Sequence, residues 1–209
     1  MRCVLESNRI SVQEILSQRG IVRARDFASQ GISRQQLKRL ADSGAIERLG
    51  RGLYGLPQAE ITRNHTLAEV CVRVTHAVVC LSSALQFYNL TTQSPAEVWI
   101  MLDKHARVPK LEYPPLRTFW ASGETLTAGV EEHNVEGVVV RVTNIPKTVA
   151  DCFRFRNKIG LDVAIEALKE SLRRDPISGR SATTREEIRR YARICHVERI
   201  MQPYLEALS

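Results

Sequence analysis

Apolar residues in the first sixty positions fall into three short blocks at helical spacing, followed by two brief runs divided by glycine. Two of the blocks open alike. In Ile10-Ser11-Val12-Gln13-Glu14-Ile15 and Ile32-Ser33-Arg34-Gln35-Gln36-Leu37, Ser stands at the N-cap and Glu or Gln at the third helical position. An apolar residue precedes each cap and another follows at the fourth position, which makes a capping box with a hydrophobic staple. Gly20 and Gly44 are placed as left-handed stops. Between these helices, Val22, Ala24, Phe27 and Ala28 predict a helix within Ile21 to Gln30, closed by Gly31. Ala45 to Pro57 then reads as a hairpin with its basic tip at Gly50-Arg51-Gly52. Three helices and a hairpin in this order predict a winged helix-turn-helix over residues 10–57.

The third helix carries the chemistry. Leu37, Leu40 and Ala41 lie at i, i+3 and i+4 and form one face, while Arg34, Gln35, Lys38, Arg39 and Asp42 occupy the rest. One side can pack on the bundle and the other can present long hydrogen-bond donors. Arg binds the guanine edge and Gln the adenine edge in a bidentate way, so these residue types suit a major groove. Arg48 and Arg51 on the hairpin suit phosphate, or for Arg51 the adjacent minor groove. The candidate DNA-binding residues are therefore Arg34, Gln35, Lys38, Arg39, Arg48 and Arg51. The same architecture also serves protein binding, and a basic helix face is also simply a solvated one. A single module of this size binds weakly, so two copies on repeated half-sites are expected, as monomers or as a dimer.

Gln58 to Asn64 is short and polar and reads as a joint, giving domains at 1–60 and 61–209. Beyond it, Leu67, Val70, Cys71 and Val74 predict a helix over residues 64–75, and Ala77 to Leu81 a buried strand. Ser82 is placed as the cap of a helix from Ser83 to Tyr88, with Leu85 and Tyr88 inward. Glu97 to Asp103 and Val135 to Val142 are strong strand candidates and Leu116 to Trp120 a weaker one, bounded by Pro95, Pro109, Pro114, Pro115 and glycines. The chain then turns helical. Pro146 precedes Val149, Ala150, Cys152 and Phe153, and Leu161 to Leu172 sets Ile165, Leu168 and Leu172 on one face. Asp175 to Ser181, with Pro176 and Gly179, is the candidate flexible loop. Thr184 to Ile188 forms a third capping box, starting a helix with Arg185, Arg189, Arg190 and Arg193. The fold class is α+β: an N-terminal winged helix-turn-helix followed by a larger mixed α/β C-terminal domain.

The arginines of that last helix admit two readings, a surface for phosphates or an acidic partner, or a solvated face with Glu186–Arg190 ion pairs. Lys104, His105, Arg107 and Lys110 likewise read as a solvated loop or a partner contact.

Composition narrows the function. At 209 residues and 44% hydrophobic, the chain supports one large or two modest packed domains. The formal charge of +7 favours a polyanionic partner. Residues 1–60 hold ten Lys/Arg against six Asp/Glu and so account for +4 of it. No stretch approaches membrane-span length, and Met1 to Glu6 lacks the apolar core of a secretory signal. Five cysteines without metal-ligand spacing point to reduced, mostly buried thiols in cytoplasm. No metal and no cofactor are expected.

Catalytic signatures are missing. Ser82-Ser83 lacks the Gly and the following Asp-x-Asp of a nucleotidyltransferase. Glu97 and Asp103 flank a strand without the Glu-x-Lys or Asp-x-Lys triplet of a restriction-type nuclease. Glu166-Ala167-Leu168-Lys169 has the wrong spacing for it. There is no nucleophile elbow and no phosphate-binding glycine loop. The expectation is a protein that is not an enzyme.

Gly44 to Tyr54 resembles the wing of the AbiEi antitoxins of type IV (AbiE) toxin–antitoxin systems. Leu81-Ser82-Ser83-Ala84-Leu85, continued by Leu90-Thr91 and Pro95, is similar to the start of that family's second domain. Thr143 to Leu172, with Lys147-Thr148-Val149-Ala150-Asp151, Ala164 and Ala167, resembles its later helical section. Tyr88 stands where a His is common, so that position implies no His-based role. The resemblance implies an antitoxin that binds inverted repeats of double-stranded DNA in its own promoter and represses its operon. It also implies a C-terminal domain that neutralises a nucleotidyltransferase-like toxin, AbiEii, without requiring a stable complex. The alternative is a stand-alone winged-helix transcription factor with a ligand- or protein-sensing C-terminal domain.

Overall fold

The computed structural model describes residues 12–57, 61–93, 95–107, 110–173 and 182–208. The chain divides into two compact units, Met1–Thr75 with His133–Val140, and His76–Glu132 with Arg141–Ser209. The joint expected near residue 60 falls within the span of the first unit, and residues 58–60 lie outside the described set.

In the first unit, helix α1 covers residues 12–19, and its expected cap, Ser11, lies outside the described residues. Val12 and Leu16 are buried. Gly20 ends the helix at φ +61°, donating its N–H to the Leu16 carbonyl at 2.8 Å. The expected helix over 21–30 is shorter. Val22–Arg23 is a strand, β1, and only Ala24–Ala28 is helical, α2. The difference is tertiary: Val22 and Arg23 pair antiparallel with Tyr54 and Leu53. A buried Val22 fits either period, so spacing alone could not separate them.

Helix α3, Arg34–Asp42, starts with the expected capping box. The Gln36 N–H donates to Ser33 Oγ at 3.2 Å, and the Ser33 N–H to Gln36 Oε1 at 2.8 Å. Strands β2 (Glu47–Gly50) and β3 (Leu53–Gly55) form the predicted hairpin, with a bulge between Arg48 and Gly50. The sheet order is β1-β3-β2. Its core gathers Val12, Leu16, Val22, Phe27, Ile32, Leu37, Leu40, Ile46 and Tyr54.

Helix α4, His65–Arg73, completes the described helices of this unit. The turn at Glu136-Gly137 also belongs to it and is fastened in two ways. A Cβ on Gly20 would lie 1.4 Å from the Glu136 carbonyl oxygen, and one on Gly137 2.6 Å from the Arg19 carbonyl carbon, so backbone meets backbone. Glu136 Oε2 then lies 2.6 Å from His65 Nδ1, while Oε1 accepts from the Thr62 N–H at 2.7 Å and its hydroxyl at 2.8 Å. Burial pushes the Glu136 carboxyl up, but the His65 ring and the two Thr62 donors outweigh it and hold the group below its ordinary value.

Most of a mixed five-stranded sheet belongs to the second unit, while His133–Val140, within its last two strands and their turn, are grouped with the first. The strands of this sheet are β4 (Val78–Val79), β5 (Val98–Asp103), β6 (Leu116–Ala121), β7 (Val130–Val135) and β8 (Val138–Thr143), in the order β6-β5-β4-β8-β7. β4 runs antiparallel to β5 and parallel to β8, and β5 runs parallel to β6. The run from Val135 to Val142, expected as one strand, is broken by a turn with Glu136 at φ +54° and Gly137 at φ +79°. The missed strand β7 is an edge, and its Glu131, Glu132 and Asn134 are exposed. An edge strand needs no apolar alternation, and charges protect it from pairing further.

Helix α5, Leu81–Phe87, is capped at Cys80 and not at Ser82 as expected. Ser82 sits in the first turn. The next residue, Ser83, accepts the Trp99 N–H at 2.9 Å and so ties α5 to β5. The short helix α6 spans Glu124–Thr127. Helix α7, Ile145–Arg154, has Asn144 as its cap and every residue from Lys147 to Phe153 buried. It is followed by α8 (Arg156–Ile159) and α9 (Leu161–Ser171). The buried stripe of α9 is Val163, Ala164, Ala167, Leu168 and Ser171, while Ile165 and Leu172, expected inward, are half-buried. Alanines let α9 approach α7 closely, which a search for large apolar residues does not weigh. Helix α10, Arg185–Ile194, has the expected Thr184–Glu187 capping box. Helix α11, Glu198–Ala207, was not anticipated, because Pro203 interrupts its pattern. The loop expected over 175–181 lies outside the described residues.

Inside this core, Lys147 and Asp151 are both fully buried and meet at 2.5 Å, Nζ to Oδ2. The Cys195 thiol donates to Asp151 Oδ1 at 3.4 Å. Burial pushes the Asp151 carboxyl up, against the opposing pull of Lys147. Cys71, Cys80, Cys152 and Cys195 are buried. Burial pushes the Cys80 and Cys152 thiols up, and the Cys195 thiol up to about 12, which leaves these three unreactive.

Candidate nucleic-acid interface

Helix α3 advances about 100° per residue. Arg34, Lys38, Gln35 and Arg39 therefore fall within an arc of about 140°, and Leu37 and Leu40 lie on the opposite side. The structure agrees with this geometry, since all four polar residues are exposed and both leucines are buried. Among the described residues no carboxylate lies within ion-pair distance of Arg34, Lys38 or Arg39. Asp42 shares the arc only at the C-terminal end, so the first two turns form the cationic part. The positive end of the helix dipole adds to it there.

The wing supplies the other two candidates. Arg48 is exposed on β2, with its Nε 3.4 Å from the Gly50 carbonyl. Arg51 is exposed in the tip, beside Gly52 at φ +73°. The Ala24 N–H donates to the Gly52 carbonyl at 2.9 Å, so the tip is held by the start of α2. Behind it, Tyr54 packs edge-on against Phe27 with ring centroids 6.4 Å apart. The sequence-derived set thus divides into four residues grouped on one helix face and two arginines on the hairpin.

Sequence reasoning missed one feature of this module. Arg23 holds Asp26 through two hydrogen bonds, 2.9 and 3.3 Å, at the start of α2. The i, i+3 spacing is the only signal, and it is shared by many unpaired residues.

The second basic cluster is differently engaged. Arg185 donates to the Leu208 carbonyl at 2.6 Å, Arg190 lies 5.6 Å from the Tyr191 ring, and Arg193 reaches Glu186 at 3.4 Å. Glu186 thus pairs two turns along the helix and not with Arg190. In the turn after β5, the Asp103 carboxylate accepts the His105 N–H at 2.9 Å, a structural use for that side chain.

A three-helix module with an antiparallel wing and an exposed cationic third helix defines the winged helix-turn-helix class of DNA-binding regulators. Residues 10–57 match the family model described as transcriptional regulator, AbiEi antitoxin. This stretch is therefore similar to the regulator domain of AbiEi antitoxins, and the fold around it is α+β. Comparison of the chain with curated proteins finds no match. Among the described residues no helix is long and apolar enough to cross a membrane, and no group of three or more His, Cys, Asp or Glu is placed to hold a metal ion.

Proposed function

We propose that this protein is a cytoplasmic type IV antitoxin that binds inverted repeats in its own promoter and represses its operon. The DNA-binding domain ends near residue 60, and residues 61–209 serve as the antitoxin domain acting against a nucleotidyltransferase-like toxin. Arg34, Gln35, Lys38 and Arg39 read base edges from the major groove, and Arg48 and Arg51 hold the phosphate backbone. No cofactor and no catalytic step are involved. The observation that carries this reading is the grouping of the four α3 side chains on one solvent face of a helix anchored by Leu37 and Leu40.

Gel-shift titration of the full chain on the duplex upstream of its gene tests the first half. Arg34→Ala should cost about 1–3 kcal/mol and relax preference at one position, while Arg51→Ala should weaken all sequences alike and lower the salt slope by about one. Equal losses from both on every sequence would remove the division of roles. Failure to bind the upstream duplex at low salt would remove the repressor reading. Co-expression of the full chain with the product of the adjacent gene tests the second half, with restored growth as the expected result.

A further inference from the structure

The second unit contains an open cavity of about 440 Å³, a size typical of small-molecule sites. Its polar lining is Ser82, Thr91, Gln93, Glu97, Arg117 and Lys158. The strand register places Arg117 directly across from Trp99, and its guanidinium lies 4.4 Å from the indole centroid. Phe119, two residues along β6, stacks on Trp99 at 5.2 Å. Arg117 is therefore held by packing and not by a counter-ion. Its Nη2 makes one long contact, 3.5 Å, to the Lys158 carbonyl, which brings the two cationic residues to the same wall. Among the described residues neither Arg117 nor Lys158 has a carboxylate within ion-pair distance. Ser82 is presented from the first turn of α5, whose position is fixed by the Ser83–Trp99 hydrogen bond. The Thr91 hydroxyl oxygen accepts the Gln93 N–H at 3.1 Å and keeps its own proton to donate.

We propose that this cavity binds a phosphate monoester with a polar body, a mononucleotide or a sugar phosphate. Two unpaired cations and two hydroxyl donors match a dianionic phosphate better than a singly charged carboxylate. Glu97, also without an ion-pair partner among the described residues, accepts from an amine or hydroxyl on the body of the ligand. Leu85, Ile159 and Val163 supply the apolar part of the lining. The volume exceeds what phosphate alone needs, so the body contributes to affinity. The site is independent of the DNA-binding reading, since all of its residues belong to the second unit.

Isothermal titration calorimetry on the full chain, with adenosine monophosphate, glucose 6-phosphate and inorganic phosphate as probes, tests this. One monoester should saturate the protein at one equivalent, and which of the two does so identifies the source. Lys158→Gln, at an exposed position, and Arg117→Met, which keeps an apolar stem against Trp99, should each weaken binding about ten- to hundredfold. Circular dichroism melting confirms that both variants fold, and Lys158→Gln alone suffices if Arg117→Met does not. Three results would overturn the proposal. They are no saturable binding by either monoester in the millimolar range, binding unchanged by Lys158→Gln, and inorganic phosphate binding as tightly as the monoesters.

Discussion

Removing one member of the Lys147–Asp151 pair should destabilise the protein in a way whose pH dependence reveals which charge is stranded. Both side chains are fully buried, and their heads meet at 2.5 Å. Breaking such a pair from one side typically costs about 3–5 kcal/mol, because the remaining charge has neither water nor a partner. The stranded group can escape by changing its protonation, and that sets a ceiling. In Lys147→Met, Asp151 avoids its charge by taking up a proton. At pH 7 this costs about 1.4 kcal/mol for each unit between 7 and the ordinary Asp value near 3.9, or about 4 kcal/mol. The unfolded chain releases that proton and the folded chain keeps it, so the deficit relative to the parent should grow by about 1.4 kcal/mol per pH unit between about pH 5 and 7.

In Asp151→Asn the sign reverses. The stranded amine escapes by releasing its proton, with a ceiling of about 5 kcal/mol at pH 7 that shrinks as pH rises towards the ordinary lysine value near 10.4. Urea unfolding of both variants and the parent, followed by circular dichroism across pH 5 to 9, measures the two deficits. Replacing both residues, as Lys147→Met with Asp151→Leu, should recover most of the loss, since a well-packed apolar pair is often neutral or better. Deficits that run parallel with pH, or that stay below about 1 kcal/mol, would refute the picture of a charged pair sealed in the core.

Gly20→Ala should be severely destabilising, because the new Cβ would lie 1.4 Å from a backbone oxygen at a positive φ. Gly52→Ala, also at positive φ but with nothing within 4 Å, should cost only about 1–2 kcal/mol in thermal melts. The Glu136 carboxyl is held below its ordinary value, so its contribution is present above that value and lost as pH falls through the lowered one. Glu136→Gln should therefore narrow its stability gap to the parent below about pH 4, and a gap independent of pH would exclude an ionised Glu136. Ser33→Ala removes the α3 cap and should cost about 1 kcal/mol in urea unfolding, with no change in base preference in gel shifts.

The first module was legible in the sequence because its signals are local. The Ser33–Gln36 capping box, the left-handed stops at Gly20, Gly31 and Gly44, and the Leu37–Leu40 stripe are each set within a few residues, and all appear as expected. The exposed set on α3 followed from helical geometry alone. The weak points were long-range. Strand β1 exists because Val22 and Arg23 find β3 some thirty residues later, and nothing near them announces it. The run through Val135 hid a turn, whose position is set by Gly137 packing backbone to backbone on the end of α1.

The second unit shows the same division more sharply. The cap at Thr184 and the apolar run of β5 could be read directly, since a cap or a fully buried strand has its own local chemistry. The burial of Lys147 and Asp151 could not, because a lysine four residues from an aspartate looks like any solvated helix pair until α7 is enclosed on all sides. Nor could the cavity, whose charges arrive singly from β6 and α8 and acquire meaning only when the sheet register brings them to one wall. Spacing along the chain determines which face a residue occupies. What that face meets, water or protein or a partner charge, is decided by contacts between residues far apart in sequence, and only the folded structure supplies them.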